Sequence, residues 1–87
     1  MRVTLISPEA AVFDGEADAV VAPAFDGEIG ILPNHAPLMT VLGVGVLRIE
    51  AGGATRRFHV QRGFLQVVKN SVRVLAEHVQ ADAGPAN

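Results

Sequence analysis

Residues 47–61, Leu-Arg-Ile-Glu-Ala-Gly-Gly-Ala-Thr-Arg-Arg-Phe-His-Val-Gln, alternate apolar and polar side chains on both sides of a diglycine. Leu47 and Ile49 interleave with Arg48 and Glu50, and Phe58 and Val60 interleave with Arg57, His59 and Gln61. A repeat of two puts the apolar set on one face of a pleated strand and the polar set on the other. With a turn at Gly52-Gly53, the stretch reads as two neighbouring antiparallel strands, one face in a core and one in water.

Further along, Val72, Val74 and Ala76 alternate with Arg73 and Glu77. Toward the N-terminus, turn residues recur at short intervals: Ser7-Pro8, Asp14-Gly15, Asp26-Gly27, Pro33-Asn34 and Gly43, and later Gly63 and Lys69-Asn70. Between them lie runs of four to seven residues rich in Val, Ile, Leu and Phe, and no gap holds a helix of ordinary length. The expectation is an all-β sandwich or barrel, with strands near 2–6, 11–14, 17–22, 28–32, 38–42, 44–50, 56–61, 63–68 and 71–77. Leu5, Leu47, Ile49, Phe58, Val60, Val72 and Val74 are expected in its core. Val20-Val21, Val67-Val68 and Leu75 put apolar residues on both faces of several strands, which points to a second covered surface such as a subunit interface. Residues 1–80 read as one domain and 81–87 as a disordered tail.

The 87 residues suffice for one domain, and one of this size has a marginal core. No cysteine is present, which removes disulfides and thiolate metal sites. No Trp or Tyr is present, and the net charge is −2. Base-stacking platforms and phosphate-backbone binding are therefore both disfavoured, and no nucleic-acid partner is expected. The charge is unevenly spread: residues 1–28 carry six acids and one base, and residues 48–73 carry six bases and one acid. Such a division suits either ordinary solvated sheet edges or two poles meeting two partners. Met1-Arg2-Val3 leads straight into strand-like sequence, with no secretory or transit pattern. Residues 29–47 lack formal charge, but Pro33-Asn34-His35-Ala36-Pro37 in their middle rules out a membrane span.

Chemistry-bearing residues are few. His35, His59 and His78 have no ligand spacing among themselves, so no metal or cofactor site is expected. Ser7 and Ser71 lie outside any nucleophile-elbow sequence. Asp26 and Glu28 flank Gly27 and form either a solvated hairpin tip or a functional carboxylate pair. Pro33 and Pro37 fix the backbone around His35, which is either a satisfied loop histidine or a positioned contact residue.

The stretch from Gly27 to Leu38, GEIGILPNHAPL, resembles the signature of the N-terminal domain of ATP synthase epsilon subunits. The flanks resemble that family in order, VTLISPEAAVFDGEADAVVAPAFDGEIGILP before and within the motif and RRFHVQRGFLQVVKNSVRVLAEHV after it, together covering about residues 2–80. The resemblance implies a flattened β-sandwich of about ten short strands that binds the gamma subunit, sits on the polar loops of the c-ring and carries torque between proton flow and ATP synthesis. It implies a non-catalytic rotor subunit of the central stalk, peripheral at the cytoplasmic face of the bacterial inner membrane. Carried over by position, Ser7, His35 and Met39 match the gamma-facing side, and Asp26, Gly27 and Glu28 match the c-ring-facing loop. Most bacterial members continue into a C-terminal helical hairpin that inhibits hydrolysis and in some binds ATP. This chain is expected to lack it, as a natural short form or as a piece of a longer chain. Rival readings are a free-standing β-sandwich that binds a small ligand, and a hydrolase using His35 with Asp26 or Glu28.

Overall fold

The computed structural model describes residues 1–82, which form eight strands and no helix. In chain order these are β1 (Arg2–Ile6), β2 (Ala11–Glu16), β3 (Ala19–Ala24), β4 (Gly27–Ile31), β5 (Leu38–Val41), β6 (Gly45–Ala51), β7 (Ala54–Val68) and β8 (Ser71–Asp82). All pairings are antiparallel except β1 with β8, where the first strand lies beside the last, Arg2 opposite Ser71 and Ile6 opposite Leu75.

The expected strand count and the observed one differ at Arg62-Gly63. Residues 56–61 and 63–68 were expected as separate strands, but β7 runs unbroken through both. Burial alternates with Phe58 and Val60 inward, then resumes with Leu65 and Val67 inward, so the core-facing set changes parity. β8 makes the same change opposite, with Val72, Val74 and Ala76 inward and then Val79. At the change Arg62 takes a left-handed φ of 61°, and a Cβ on Gly63 would overlap the Leu75 carbonyl oxygen of β8. The β7–β8 ribbon therefore passes from one layer of a sandwich into the other. The first layer runs β2, β1, the N-terminal half of β8, the C-terminal half of β7, and β5. The second runs the C-terminal half of β8, the N-terminal half of β7, β6, β3 and β4. Eight strands thus provide the ten segments of the expected sandwich.

Side chains from both layers fill the space between them. Val3, Leu5, Leu65, Val67, Val72 and Val74 come from the first layer, and Val20, Ile31, Leu47, Ile49, Phe58 and Val60 from the second, all essentially without solvent contact. Every core residue expected from the alternation is among them. Among the described residues no buried side chain is charged or polar, so the core rests on apolar packing. Turns are closed by the residues their φ values require. Gly52 and Gly53 carry φ of 59° and 82° between β6 and β7, and Lys69 and Asn70 carry 50° and 61° between β7 and β8. This sign pattern is that of a two-residue hairpin turn matched to strand twist. β8 continues through Asp82, so Ala81 and Asp82, expected in the tail, are strand. The remainder of that tail, 83–87, lies outside the described residues.

Candidate partner-binding surfaces

Two regions present side chains that the core does not use. The first is the outer face of the first layer. Register aligns Val41 with Phe64, Phe64 with Leu75, and Leu75 with Ile6, making an apolar row across β5, β7, β8 and β1. The next row on that face holds Met39, Gln66, Arg73 and Thr4. Met39 is 63% exposed and Phe64 46%, far from the usual fate of large apolar side chains.

Of the residues that the family resemblance leads one to expect on a gamma-facing side, Met39 lies on this face, Ser7 at one end of it and His35 near the other. Ser7 follows β1 and is engaged in its own turn. Its amide N–H donates to the Ala10 carbonyl at 2.9 Å, and its hydroxyl donates to the same oxygen at 3.2 Å. His35 follows a turn with Pro33 at its second position and Asn34 at φ 67°, the signs of a type II turn, closed by the His35 N–H on the Leu32 carbonyl at 3.2 Å. Asn34 N–H donates to Asn70 Oδ1 at 2.8 Å, which ties this turn to the β7–β8 hairpin. The imidazole Nδ1 lies 2.7 Å from the Ala36 carbonyl. Because a carbonyl only accepts, Nδ1 is the donor in this contact.

The second region is the β3–β4 tip. The turn itself is Phe25-Asp26, while Gly27 and Glu28 already belong to β4, paired with Ala24 and Pro23. The turn expected over Asp26-Gly27-Glu28 is thus displaced by one residue. Gly27 closes it with φ 134°, a backbone conformation side chains rarely adopt. The carboxylate of Glu28 sits 3.6 Å from the Arg48 guanidinium, while Asp26 is exposed. The β5–β6 loop packs beside this tip: Gly43 N–H donates to the Pro23 carbonyl at 2.8 Å. Phe25 in the turn and Val44 next to Gly43, 72% and 79% exposed, are thus carried on adjoining loops.

Sequence reasoning did not single out Phe25, Val44, Val41 or Phe64. Phe25 and Val44 fall at turns, where apolar residues carry no periodic signal. Val41 and Phe64 are out of phase with core neighbours, and that break in phase was the available sign. His35 and Asp26 lie beyond opposite ends of the five-residue β4, roughly 16 Å of strand. Glu28 is moreover engaged with Arg48, so a hydrolytic pairing with His35 has no geometry. The acids of residues 1–28 do not form one pole. Asp14 pairs with Arg2 at 2.7 Å, and Asp18 Oδ2 accepts the Gly52 N–H at 3.1 Å.

Residues 1–82 match the family model described as the β-sandwich domain of the ATP synthase delta/epsilon chain. The chain belongs to this family. Curated relatives are ATP synthase epsilon chains: one from Leptospira borgpetersenii is 45% identical over 90% of this chain and 61% of its own length. One from Desulforamulus reducens is 49% identical over 87% of this chain and 58% of its own. This chain thus spans about three-fifths of the length of those relatives. A third, from Caulobacter vibrioides, is 41% identical over 90% of this chain and 91% of its own length. Among solved structures, a chain of the Euglena gracilis mitochondrial ATP synthase OSCP/F1/c-ring assembly superposes with a TM-score of 0.85 at 23% identity, covering 91% of this chain and 51% of that one. A chain of the Tetrahymena thermophila central stalk/c-ring superposes with a TM-score of 0.80 at 16% identity, over 100% of this chain and 77% of that one. At such identities the likeness is one of fold. No helix among the described residues of this delta/epsilon-family chain is long and apolar enough to cross a membrane.

Proposed function

We propose that the chain is a non-catalytic subunit of the rotor central stalk in a bacterial, proton-translocating F-type ATP synthase. In this reading it links gamma to the c-ring and couples proton flow to ATP synthesis. It is peripheral at the cytoplasmic face of the plasma membrane. The outer face of the first layer, with Ser7, His35 and Met39, meets gamma, and the tip with Asp26, Gly27 and Glu28 meets the c-ring loops. The observation that carries the reading is that a member of the epsilon-chain family bears two separate exposed surfaces on one rigid body. One is broad and apolar, suited to a lasting contact. The other is small, acidic at its tip and apolar at its flank.

The mechanism this implies is mechanical. A sandwich whose layers share two long strands resists shear, so displacement at one surface is delivered to the other rather than absorbed. The test is co-purification from native membranes. The wild-type chain should come down with gamma and the c-ring. Met39→Asp should lose gamma, because an unpaired carboxylate buried in an apolar contact costs on the order of a few kcal/mol. In the free domain Met39 is already exposed, so the variant should fold normally. A wild-type chain recovered without gamma would sink the proposal, as would a Met39→Asp chain that retains gamma at wild-type affinity.

A further inference from the structure

Arg56 stands where the alternation of β7 calls for an apolar residue. Phe58 and Val60 face the core, and Arg56 precedes Phe58 by two and lies directly opposite the buried Ile49 of β6. Residues opposite one another in a ladder share a face, so its side chain starts out toward the space between the layers. Arg56 nevertheless stays exposed, at the mouth of the sandwich. Its Cζ lies 5.4 Å from the ring centroid of Phe13 and 5.5 Å from that of Phe58. Both distances are within the range over which the face of an aromatic ring attracts a cation. The two rings also meet each other edge to face, with centroids 6.5 Å apart and planes at 66°. Among the described residues Arg56 makes no ion pair, so the rings hold it and not a carboxylate.

The two rings belong to different layers. Phe13 is on β2, the outermost strand of the first layer, and Phe58 is on the half of β7 that belongs to the second. β2 has a ladder with β1 alone. Its ends are tied down. Before it, the Ser7 turn closes on Ala10, and after it the Asp18 N–H donates to the Glu50 carbonyl at 2.7 Å. Between those ends, the Phe13–Arg56–Phe58 cluster joins the middle of β2 to the second layer. A strand held by one ladder at the edge of a sheet is where local opening starts.

We propose that Arg56 is a clasp that holds the β2 edge closed. Shared by two rings, its guanidinium keeps β2 from lifting as a unit and keeps the β1 edge beneath it, with Val3 and Leu5, covered. A bared β1 edge would be a template for pairing with another chain. Arginine suits this place because a guanidinium stacks on ring faces and is more weakly hydrated than an ammonium. The clasp lies within the sandwich and is independent of the partners its outer faces meet.

Native-state amide hydrogen exchange of the purified chain reads the opening of each strand separately. Arg56→Gln should speed exchange of the β2 amides bonded to β1 about 3-fold, the size of a lost cation–π contact at an exposed site. Exchange in the β7–β8 ladder around Leu65 and Val74 should stay at the wild-type rate. Arg56→Lys should fall between wild type and Arg56→Gln. In a Phe13→Leu chain β2 should already exchange faster, and adding Arg56→Gln should then change little, because the two residues act as a pair. Wild-type exchange of β2 in Arg56→Gln would overturn the clasp. An equal rise in β2 and in the β7–β8 ladder would overturn it too, since that reports a loss of overall stability. The same effect of Arg56→Gln with and without the Phe13 ring would show that the arginine acts through something else, and the clasp would fall.

Discussion

Gly63 sits where two backbones nearly touch, and its hydrogen side chain is what lets β7 and β8 cross between layers together. An added methyl group would meet the Leu75 carbonyl and the Ala76 Cα, which are backbone and cannot rotate away. Gly63 also accepts the Leu42 N–H at 2.9 Å, so moving it would disturb the β5 end as well. Gly63→Ala should therefore cost at least about 3 kcal/mol, above the usual range for overpacking because a ladder must shift. For a domain whose total stability is of order 5–10 kcal/mol, that brings much of the population near unfolding at growth temperature. Gly30→Ala is the matched control, since open space surrounds that position. It should stay within about 0.5 kcal/mol of wild type. Urea midpoints for the pair would decide the matter, and equal midpoints would show that the crossing can relax. Asn70 matters in another way: its carbonyl accepts from Arg2 N–H at 3.1 Å while its side chain holds Asn34. One turn residue thereby joins three segments far apart in sequence.

Among the elements, the hairpin tip of β3 and β4 carries the prediction most sensitive to solution conditions. Asp26 is exposed, and pairs between exposed charges are worth under about 1 kcal/mol each. Against basic loops of a c-ring such acids would orient docking more than strengthen it. Glu28→Gln should therefore reduce proton-driven ATP synthesis only modestly. Asp26→Lys with Glu28→Lys should impair it strongly at low salt and less as salt rises, since screening acts over roughly 8–10 Å at physiological ionic strength. Because Glu28 also faces Arg48 at 3.6 Å, the free domain of the double variant needs a thermal midpoint close to wild type for the comparison to count. The same synthesis rate as wild type at both salt levels would leave the tip as a solvated hairpin. The elements differ in how far they could be read from sequence. β6 and the first half of β7 were legible because alternation and a diglycine turn are local signals. The fusion of residues 54–68 into one strand was not. A glycine after a left-handed residue looks the same whether the chain turns or crosses, and only the facing carbonyl of Leu75 distinguishes the two. The shift of the β3–β4 turn from Asp26-Gly27 to Phe25-Asp26 has a similar cause, since register is set by pairing with β6 as well as by the turn residues.

Over the whole molecule, the sandwich and its core were legible in the sequence, and its surfaces only in part. Apolar residues such as Leu47, Phe58 and Val74 report their burial through their own neighbours in sequence. The apolar row of Val41, Phe64, Leu75 and Ile6 exists only once four strands are set in register, and no local pattern encodes that register. Leu75, which broke an alternation in the sequence, proves to be the partner of Phe64 across the ladder. The parallel pairing of β1 with β8 bears on how the molecule comes into being. β1 pairs with β2 along one edge, but its other edge is completed only by Ser71 to Leu75, so that edge waits for β8. Val3 and Leu5 remain without their β8 neighbours until that strand has been made, and a loop of that length slows closure. Closure of the first layer thus comes late, while β3, β4 and β6 pair within a short span and can gather earlier. Chains arrested before Ser71 should be cleaved readily within residues 1–16 by a probing protease, while chains with β8 exposed should resist. Equal resistance in both would show that β1 and β2 hold together alone. A nascent chain whose β1 still lacks β8 on one edge is also a natural client for a chaperone that binds extended segments.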